Sequence, residues 1–411
     1  MSSPGRGEIH GAAVATAVRH SDTVWALLTM AAYSLIGNTV LVVQPMVVGG
    51  LVDLLNFSER QAGFVAAAEL LGFSLASLAL LTFVHKVNRR VLALVGVAIV
   101  VGVDIIACLI KTFPPMLLVR FMAGAGSAIA YSVFPTLAAA SSRPERVFGI
   151  VNASSIAYAG VFVWLAPKLL QLWHLPGIFL TMAALALLVS PTIGWTPAYS
   201  GDRSLQDAQR APGPRARMKF NPNIAMLLGV ILFLYIGHGG IWAYQERIGV
   251  AAGLAKNQVG SLLGTSMLIW GVAGSLLATW LSLSIGRIWP QIISLGVSIL
   301  AALLLVLGAN ALTYGVACAL IAFSWFYGLP YQTGLLALFD PKGRANIAGV
   351  LMSTTGSTLG PALAAILLGY GGHIVIGAMA GICYVICLIL VLLSIRQLAR
   401  AYPDAMRRRS Y

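Results

Sequence analysis

The chain has 411 residues, of which 59% are hydrophobic and only 9% charged. Soluble domains carry about 25% charged residues, so the composition excludes a water-soluble body. The formal net charge is +14, but the basic residues lie in short segments between apolar runs. A nucleic-acid-binding protein gathers such residues on one folded face, and no nucleic-acid partner is therefore expected.

The apolar runs predict an all-α integral membrane protein with twelve transmembrane helices. Each run has about 20 residues, enough to cross a bilayer as a helix, and in lipid a run of this kind satisfies its own backbone hydrogen bonds only as a helix. An even number of spans places both chain ends on one side. The predicted spans one to twelve are residues 24–50, 62–83, 91–110, 116–139, 148–167, 177–195, 223–245, 259–282, 290–308, 313–339, 347–369 and 373–395.

The distribution of basic residues predicts the orientation. With both chain ends in the cytoplasm, about four times as many Lys and Arg residues lie in cytoplasmic as in outer segments. Cytoplasmic loops of membrane proteins carry this excess. We therefore expect a multi-pass protein of the cell inner membrane with both termini cytoplasmic.

The second half of the chain repeats the first at an offset near 200 residues. Asn38 in span one corresponds to His238 in span seven, and Gly160 in span five to Gly360 in span eleven. Such repeats predict two six-helix halves. The predicted organisation is a cytoplasmic N-terminal tail at 1–23, a first half at 24–195, a polar cytoplasmic linker at 196–222, a second half at 223–395 and a basic cytoplasmic tail at 396–411.

Two local motifs accompany the repeat. The loop after span two reads LTFVHKVNRR at residues 81–90, and span four contains RFMAGAG at residues 120–126. With these motifs the chain resembles the major facilitator superfamily over about residues 24–396. The resemblance implies a two-bundle fold, a substrate site between the halves near the membrane midplane, and alternating access to it. It also implies a cytoplasmic gate at His85, Lys86, Arg89 and Arg90, although His85 stands where the family has Asp.

Three charged residues lie well inside predicted spans: Glu69 in span two, Asp104 in span three and Arg120 in span four. At a rise of about 1.5 Å per residue, all three lie about 8–10 Å below the outer ends of their helices. A charge inside a membrane needs a partner, so we expect one cluster. Its predicted role is proton coupling, with Glu69 the leading candidate. A static ion pair between the three spans is the structural alternative, and Arg120 gripping a substrate carboxylate is the other.

The resemblance assigns the walls of the central cavity to spans one, four, seven and ten. Polar and aromatic residues recur on these spans at helical spacing, and Gly239 with Gly240 is expected to let span seven bend. Aromatic walls, amide and phenol groups and one buried arginine suit a small organic anion. The predicted substrate-binding residues are Asn38, Gln44, Tyr131, Tyr235, His238, Trp242, Gln245, Tyr331 and Gln332.

The sequence therefore predicts a secondary active transporter that takes up a small organic acid, aromatic or short aliphatic, together with protons. Proton-coupled efflux of drugs or amphipathic metabolites is the alternative. The antiporter run G-x-x-x-G-P of the family is absent from span five and stands at 356–361 in span eleven, which disfavours efflux. No catalytic or metal-ligand spacing indicates an enzyme, and no metal or cofactor is expected. The expected partners are the solute, protons and the lipid bilayer, and the internal repeat favours a monomer.

Overall fold

The computed structural model describes residues 23–83, 87–138, 141, 144–195, 222–281, 284, 286, 288–307, 310–339 and 344–401. Every regular element among these residues is helical. The predicted linker, except for its last residue, lies outside the described part of the chain, as do residues 1–22 and 402–411 of the predicted tails. The boundaries drawn for the linker and tails stay predictions.

Eleven segments among the described residues are long and apolar enough to cross a membrane. The longest helix, Pro144–Val189, has 46 residues, about twice the length needed to cross a bilayer at 1.5 Å per residue. It is interrupted at His174, whose φ of 54° is not helical, and Pro176 follows. This break separates span five (144–173) from span six (175–195). The described residues therefore contain twelve crossings, the number that the sequence predicts.

Most helices begin a few residues before the predicted apolar runs, whereas spans three and nine end two or three residues before their predicted ends. The remaining spans have the following bounds: span one, Val24–Val42 and Gln44–Leu55; span two, Glu59–Phe83; span three, Arg89–Ala107; span four, Phe113–Tyr131 and Val133–Ala138; span seven, Pro222–Ala251; span eight, Lys256–Ser266, Met267–Gly271 and Val272–Leu281; span nine, Trp289–Val306; span ten, Ala311–Phe339; span eleven, Arg344–Gly371; span twelve, Ile374–Ala401. Span six ends in the 3-10 turn Ser190–Trp195.

Local chemistry sets several of these ends. Thr23 caps span one by accepting a hydrogen bond from the Ala26 backbone N–H, and Asn88 caps span three in the same way. Asn56 ends span one in the left-handed conformation that Asn tolerates. Span one is interrupted at Val43, just before Pro45. Because proline has no N–H, it cannot bond the carbonyl four residues earlier, so the break follows from the sequence.

Span seven does not break at its glycine pair, and the predicted bend there stays a prediction. Span seven runs without interruption from Pro222 to Ala251. Gly239 and Gly240 instead let span eleven come close: a Cβ at Gly239 would lie 3.2 Å from the Ser357 carbonyl oxygen, and one at Gly240 would lie 3.2 Å from that of Gly360. Small residues at helix contacts are the usual means of close packing in membranes. The glycine pair therefore serves packing between spans seven and eleven.

The two six-helix halves meet through spans one, two and five of the first half and spans seven, eight and eleven of the second. Ser74 of span two lies 3.3 Å from Thr358 of span eleven, hydroxyl to hydroxyl. We call the side of the membrane on which the loop between spans one and two lies the distal face. Span one starts on the opposite side. The sequence predicts that the distal face is the outer one.

Close packing of spans two and four gives a stability prediction. A Cβ at Gly124 of span four would overlap the Glu69 backbone oxygen, whereas a Cβ at Gly102 of span three would have no atom within 4 Å. We expect Gly124→Ala to destabilise the protein by about 1–3 kcal/mol through overpacking. Gly102→Ala should be neutral or slightly stabilising, since alanine favours helix. Unfolding curves of the purified protein in detergent measure both, and equal stability of the two variants would contradict this packing.

Candidate functional site

The three charges inside the membrane form one cluster in the first half. Arg120 donates from Nη2 to Glu69 Oε1 and from Nη1 to Asp104 Oδ1, the latter at 2.6 Å. The Phe179 ring of span six lies 4.8 Å from the guanidinium carbon. All three charged side chains are at most 1% exposed. The cluster therefore lies between spans two, three, four and six, inside the first half.

The charges of this cluster do not cancel when both acids are ionised. Two carboxylates face one guanidinium, and removing an unbalanced charge from water costs several kcal/mol. Asp104 Oδ2 is buried without a hydrogen-bond partner among the described residues. One proton on either carboxyl group would balance the cluster. The arrangement can therefore hold a proton, and the part of Glu69, Asp104 and Arg120 in coupling stays a prediction.

An aromatic group surrounds His238 in the second half. The Trp325 ring of span ten lies 4.9 Å from the imidazole and 6.2 Å from the Tyr235 ring, and Tyr384 of span twelve lies 5.1 Å from the imidazole. His238 Nδ1 lies 3.0 Å from the Leu234 carbonyl oxygen. Because a carbonyl only accepts, Nδ1 carries the hydrogen and Nε2 of the neutral ring is an acceptor. Nε2 is buried without a partner in the described structure.

Two small recesses adjoin this group. Tyr235, His238, Trp325 and Gln332 line the first, and Trp325 also lines the second, with Trp242 and Gln245. Trp325 is thus common to both, although the predicted set omits it. A tryptophan within an apolar helix gives no sequence signal that separates ligand contact from packing. Among the described residues, no group of three or more His, Cys, Asp or Glu could hold a metal ion.

A polar group on spans one and five lies in the first half. Asn38 Nδ2 donates to Ser34 Oγ at 3.0 Å and to Ser155 Oγ at 3.1 Å. The Thr39 and Tyr158 hydroxyls are 2.8 Å apart. Only Asn38 of these five belongs to the predicted set. Ser34 stands one helical turn before Asn38, which is a usable signal, but the partners on span five have no mark in the sequence.

Tyr131 of span four packs against residues of the first half. Its ring packs 5.9 Å from Phe73 and against Gly37 of span one. Tyr235 of the second half lines one of the recesses, whereas Tyr131 lines neither.

Two other predicted substrate residues are each packed inside a single half, Gln44 in the first and Tyr331 in the second. Gln44 is buried between spans one and two, with Nε2 3.4 Å from the Ala66 carbonyl oxygen. Tyr331 is turned toward span eight, where its hydroxyl donates to the Ala278 carbonyl at 3.2 Å. Neither side chain lines the recesses around Trp325. The structure does not bring these two together with the other predicted residues.

The last two predicted substrate residues continue span seven toward the distal face. Trp242 Nε1 donates to the Leu41 carbonyl of span one at 2.6 Å, so this bond joins the halves. Leu41 stands four residues before Pro45, whose missing N–H leaves that carbonyl without its helical donor. Gln245 Nε2 donates to Cys318 Sγ at 3.1 Å inside the second half.

Only part of the predicted cytoplasmic gate is described. His85 and Lys86 lie outside the described residues. Arg89 is buried and donates to the Thr136 carbonyl at 3.2 Å, and Arg90 donates to a carbonyl at the end of span six at 3.2 Å. Cations are favoured at helix C-termini. In this structure both arginines tie span three to other spans of the first half, and their gating role stays a prediction.

An ion-pair group closes the distal face. Arg247, on span seven, lies 2.9 Å from Asp53 and 3.2 Å from Glu59, measured between nitrogen and oxygen. Lys256 pairs with Asp53 at 2.6 Å, and His373 Nε2 lies 3.2 Å from Glu59. Each pair joins the first half to the second. This group was not predicted, since charges at the ends of apolar runs are ordinary topology signals.

The chain is similar in sequence to one protein family and in fold to solved transporter structures. Residues 24–357 match the family model of the Major Facilitator Superfamily. The crystal structure of a D-xylose-proton symporter is 16% identical, with a TM-score of 0.70 over 92% of this chain and 97% of that one. The crystal structure of a mutant of the nucleoside transporter NupG is 13% identical, with a TM-score of 0.72 over 90% and 99%. These identities show a common fold alone, and none of the curated protein sequences matches this chain.

The charge balance of the buried cluster predicts unequal effects of removing its members. Arg120→Met leaves two carboxyl groups without their cation, and breaking a buried ion pair in this way costs about 3–5 kcal/mol. Glu69→Gln leaves Arg120 paired with Asp104 and should be much better tolerated. Unfolding curves in detergent measure both variants, and adding Glu69→Gln to Arg120→Met should recover part of the loss. Equal destabilisation by the two single variants would contradict the proposed balance.

Proposed function

Because the chain belongs to the major facilitator superfamily, we propose that it is a proton-coupled secondary transporter that takes up a small organic acid by alternating access. The chain ends lie in the cytoplasm and the distal face looks outward, in line with the excess of basic residues on the terminal side. The ion pairs across the distal face then mark an inward-facing state.

The observation that carries proton coupling is the buried pair of carboxyl groups sharing Arg120. With one proton the cluster is neutral, and without it one negative charge is left on side chains that are at most 1% exposed. A movement that withdraws Arg120 from one carboxyl group, or admits water to it, changes the free energy of holding that proton. Loading and release of the proton are then linked to the conformation of the first half.

Glu69 is the better placed of the two acids. It lies on span two, which also contacts span eleven of the other half through Ser74 and Thr358. Relative movement of the halves therefore acts directly on the helix that carries Glu69. Asp104 lies on span three, which packs on spans of its own half. We accordingly assign the transported proton to Glu69 and the holding of Arg120 to Asp104.

The recesses around Trp325 have volumes of about 10 Å³ and about 0 Å³ in this structure, so a solute enters them only after the helices around them move. Their aromatic walls favour a solute with a flat or apolar part. Arg120 is fully buried and engaged by two carboxyl groups, so it is a poor partner for a substrate carboxylate. His238 Nε2 is an acceptor without a hydrogen-bond partner among the described residues, and it lies beside these rings. A hydrogen-bond donor of the solute reaches Nε2 while the apolar part of the solute lies against Trp325. This favours an aromatic or short aliphatic acid, with the coupled proton held by Glu69.

Counterflow tests the solute class. Proteoliposomes are assayed with labelled aromatic acids, their methyl esters, sugars and cationic dyes, and we expect exchange of an aromatic acid. Trp325→Ala should raise the half-saturation concentration by roughly tenfold, equivalent to about 1.4 kcal/mol, because the ring contact is lost. Tyr331→Phe is the matched control, since that ring faces span eight. A similar loss in both variants would remove the support for this recess.

Glu69→Gln tests coupling. In vesicles with an alkaline interior, the wild-type protein should accumulate the solute, whereas Glu69→Gln should exchange it without accumulation, because a neutral amide carries no transportable proton. Radiolabel uptake with and without the pH gradient measures both. Undiminished accumulation by Glu69→Gln would exclude this role. Accumulation by the wild-type protein only in acid-interior vesicles would instead indicate the efflux alternative.

A further inference from the structure

A third acid lies where the halves meet at the distal face. Glu246 of span seven is 3% exposed, and its carboxyl group packs against span one so closely that a Cβ at Gly49 would overlap Oε2. Oε2 has no hydrogen-bond partner among the described residues. The nearest cationic atom, Arg247 Nη1, is 4.0 Å away.

The cations around Glu246 are already engaged. Arg247 bonds Asp53 of span one and Glu59 of span two, at 2.9 and 3.2 Å. Lys256 at the start of span eight pairs with the second oxygen of Asp53 at 2.6 Å. A carboxylate at position 246 would therefore compete for Arg247 with two acids that hold it at shorter distances.

The other titratable groups at this contact do not compensate Glu246. The Tyr314 hydroxyl of span ten donates to the Gln245 carbonyl, and the Tyr244 hydroxyl donates to the Glu59 carbonyl, each at 2.8 Å. His373, between spans eleven and twelve, lies beside Glu59. With His373 neutral, three carboxylates face two cations, and one proton restores neutrality.

We propose that Glu246 is a proton-binding site that is occupied while the distal face is closed and empties when it opens. The inference rests on the proposed function in one respect, that the halves separate at the distal face during transport. Separation takes Gly49 away from Glu246 and lets water reach the carboxyl group, which favours its ionised form. Closure returns it to a site where Oε2 has no donor among the described residues and the adjacent Arg247 is held by two other acids, which favours the neutral acid.

This proton differs in kind from the one assigned to Glu69. It arrives from the distal side and leaves to the same side, because the contact that buries it is the distal closure itself. It is therefore not carried across the membrane. Through Glu246, a lower pH outside shifts the equilibrium between open and closed distal faces toward the closed one. The accumulation ratio of the solute stays unchanged.

Distance measurements between spin labels across the distal face test the site in the full chain in nanodiscs. Leu172 and Leu312 lie near distal helix ends in different halves and are 71% and 75% exposed, so Leu172→Cys and Leu312→Cys in a cysteine-free background carry the labels. For one linked proton, the ratio of open to closed molecules should increase by up to about tenfold for each unit by which the pH is raised. Glu246→Gln, which imitates the protonated acid, should remain closed and give a flat profile.

Three further variants make the result decisive. His373→Asn should keep the wild-type dependence of the open-to-closed ratio on pH. If this variant lost that dependence, the proton would belong to His373 and the proposal would be overturned. Glu69→Gln should also keep this dependence while losing pH-driven accumulation, which separates this site from the coupling site. Gly49→Ala pushes the carboxyl group out and should favour the open state at every pH. A wild-type dependence on pH in a folded, monodisperse Glu246→Gln protein would refute the inference.

Discussion

A charge withdrawn from water must be balanced within a few ångströms, and this requirement organises the first half of the protein. Arg120 cannot be buried at 0% exposure without Glu69 and Asp104, and both acids need it in return. Satisfying all three brings spans two, three and four together at one depth, and Phe179 of span six closes the remaining side. The arrangement leaves one acid more than the cation balances, and the proposed proton coupling depends on that surplus acid.

Depth along a helix was predictable from the sequence, while rotation about the helix axis was not. Because each residue adds a fixed rise, counting residues placed Glu69, Asp104 and Arg120 in one layer, and the structure brings them together. Tyr331 was assigned to the cavity wall from its helical spacing, but it faces span eight. In helices that are apolar on every side, periodicity gives little information about which face meets which neighbour.

The same difference explains the residues that the predicted set omits. Trp325 and Ser155 acquire their importance from partners on other helices, and no spacing within their own helices reveals those partners. The twelve crossings were recoverable because length and hydropathy are local properties. The ion pairs of Arg247 were not, since they depend on how the two halves dock. Local chemistry thus fixes the crossings, and tertiary packing selects the functional faces.

The proline in span one has a consequence for the energetics of opening. Pro45 withholds a donor from the Leu41 carbonyl, and Trp242 of the opposite half supplies one. A side chain of one half thus supplies a backbone hydrogen bond of the other. If this bond breaks as the halves separate, an unpaired Leu41 carbonyl in a nonpolar setting is costly, so a water molecule has to take the place of the indole. Hydration of this single oxygen then becomes a step on the path by which the two bodies come apart.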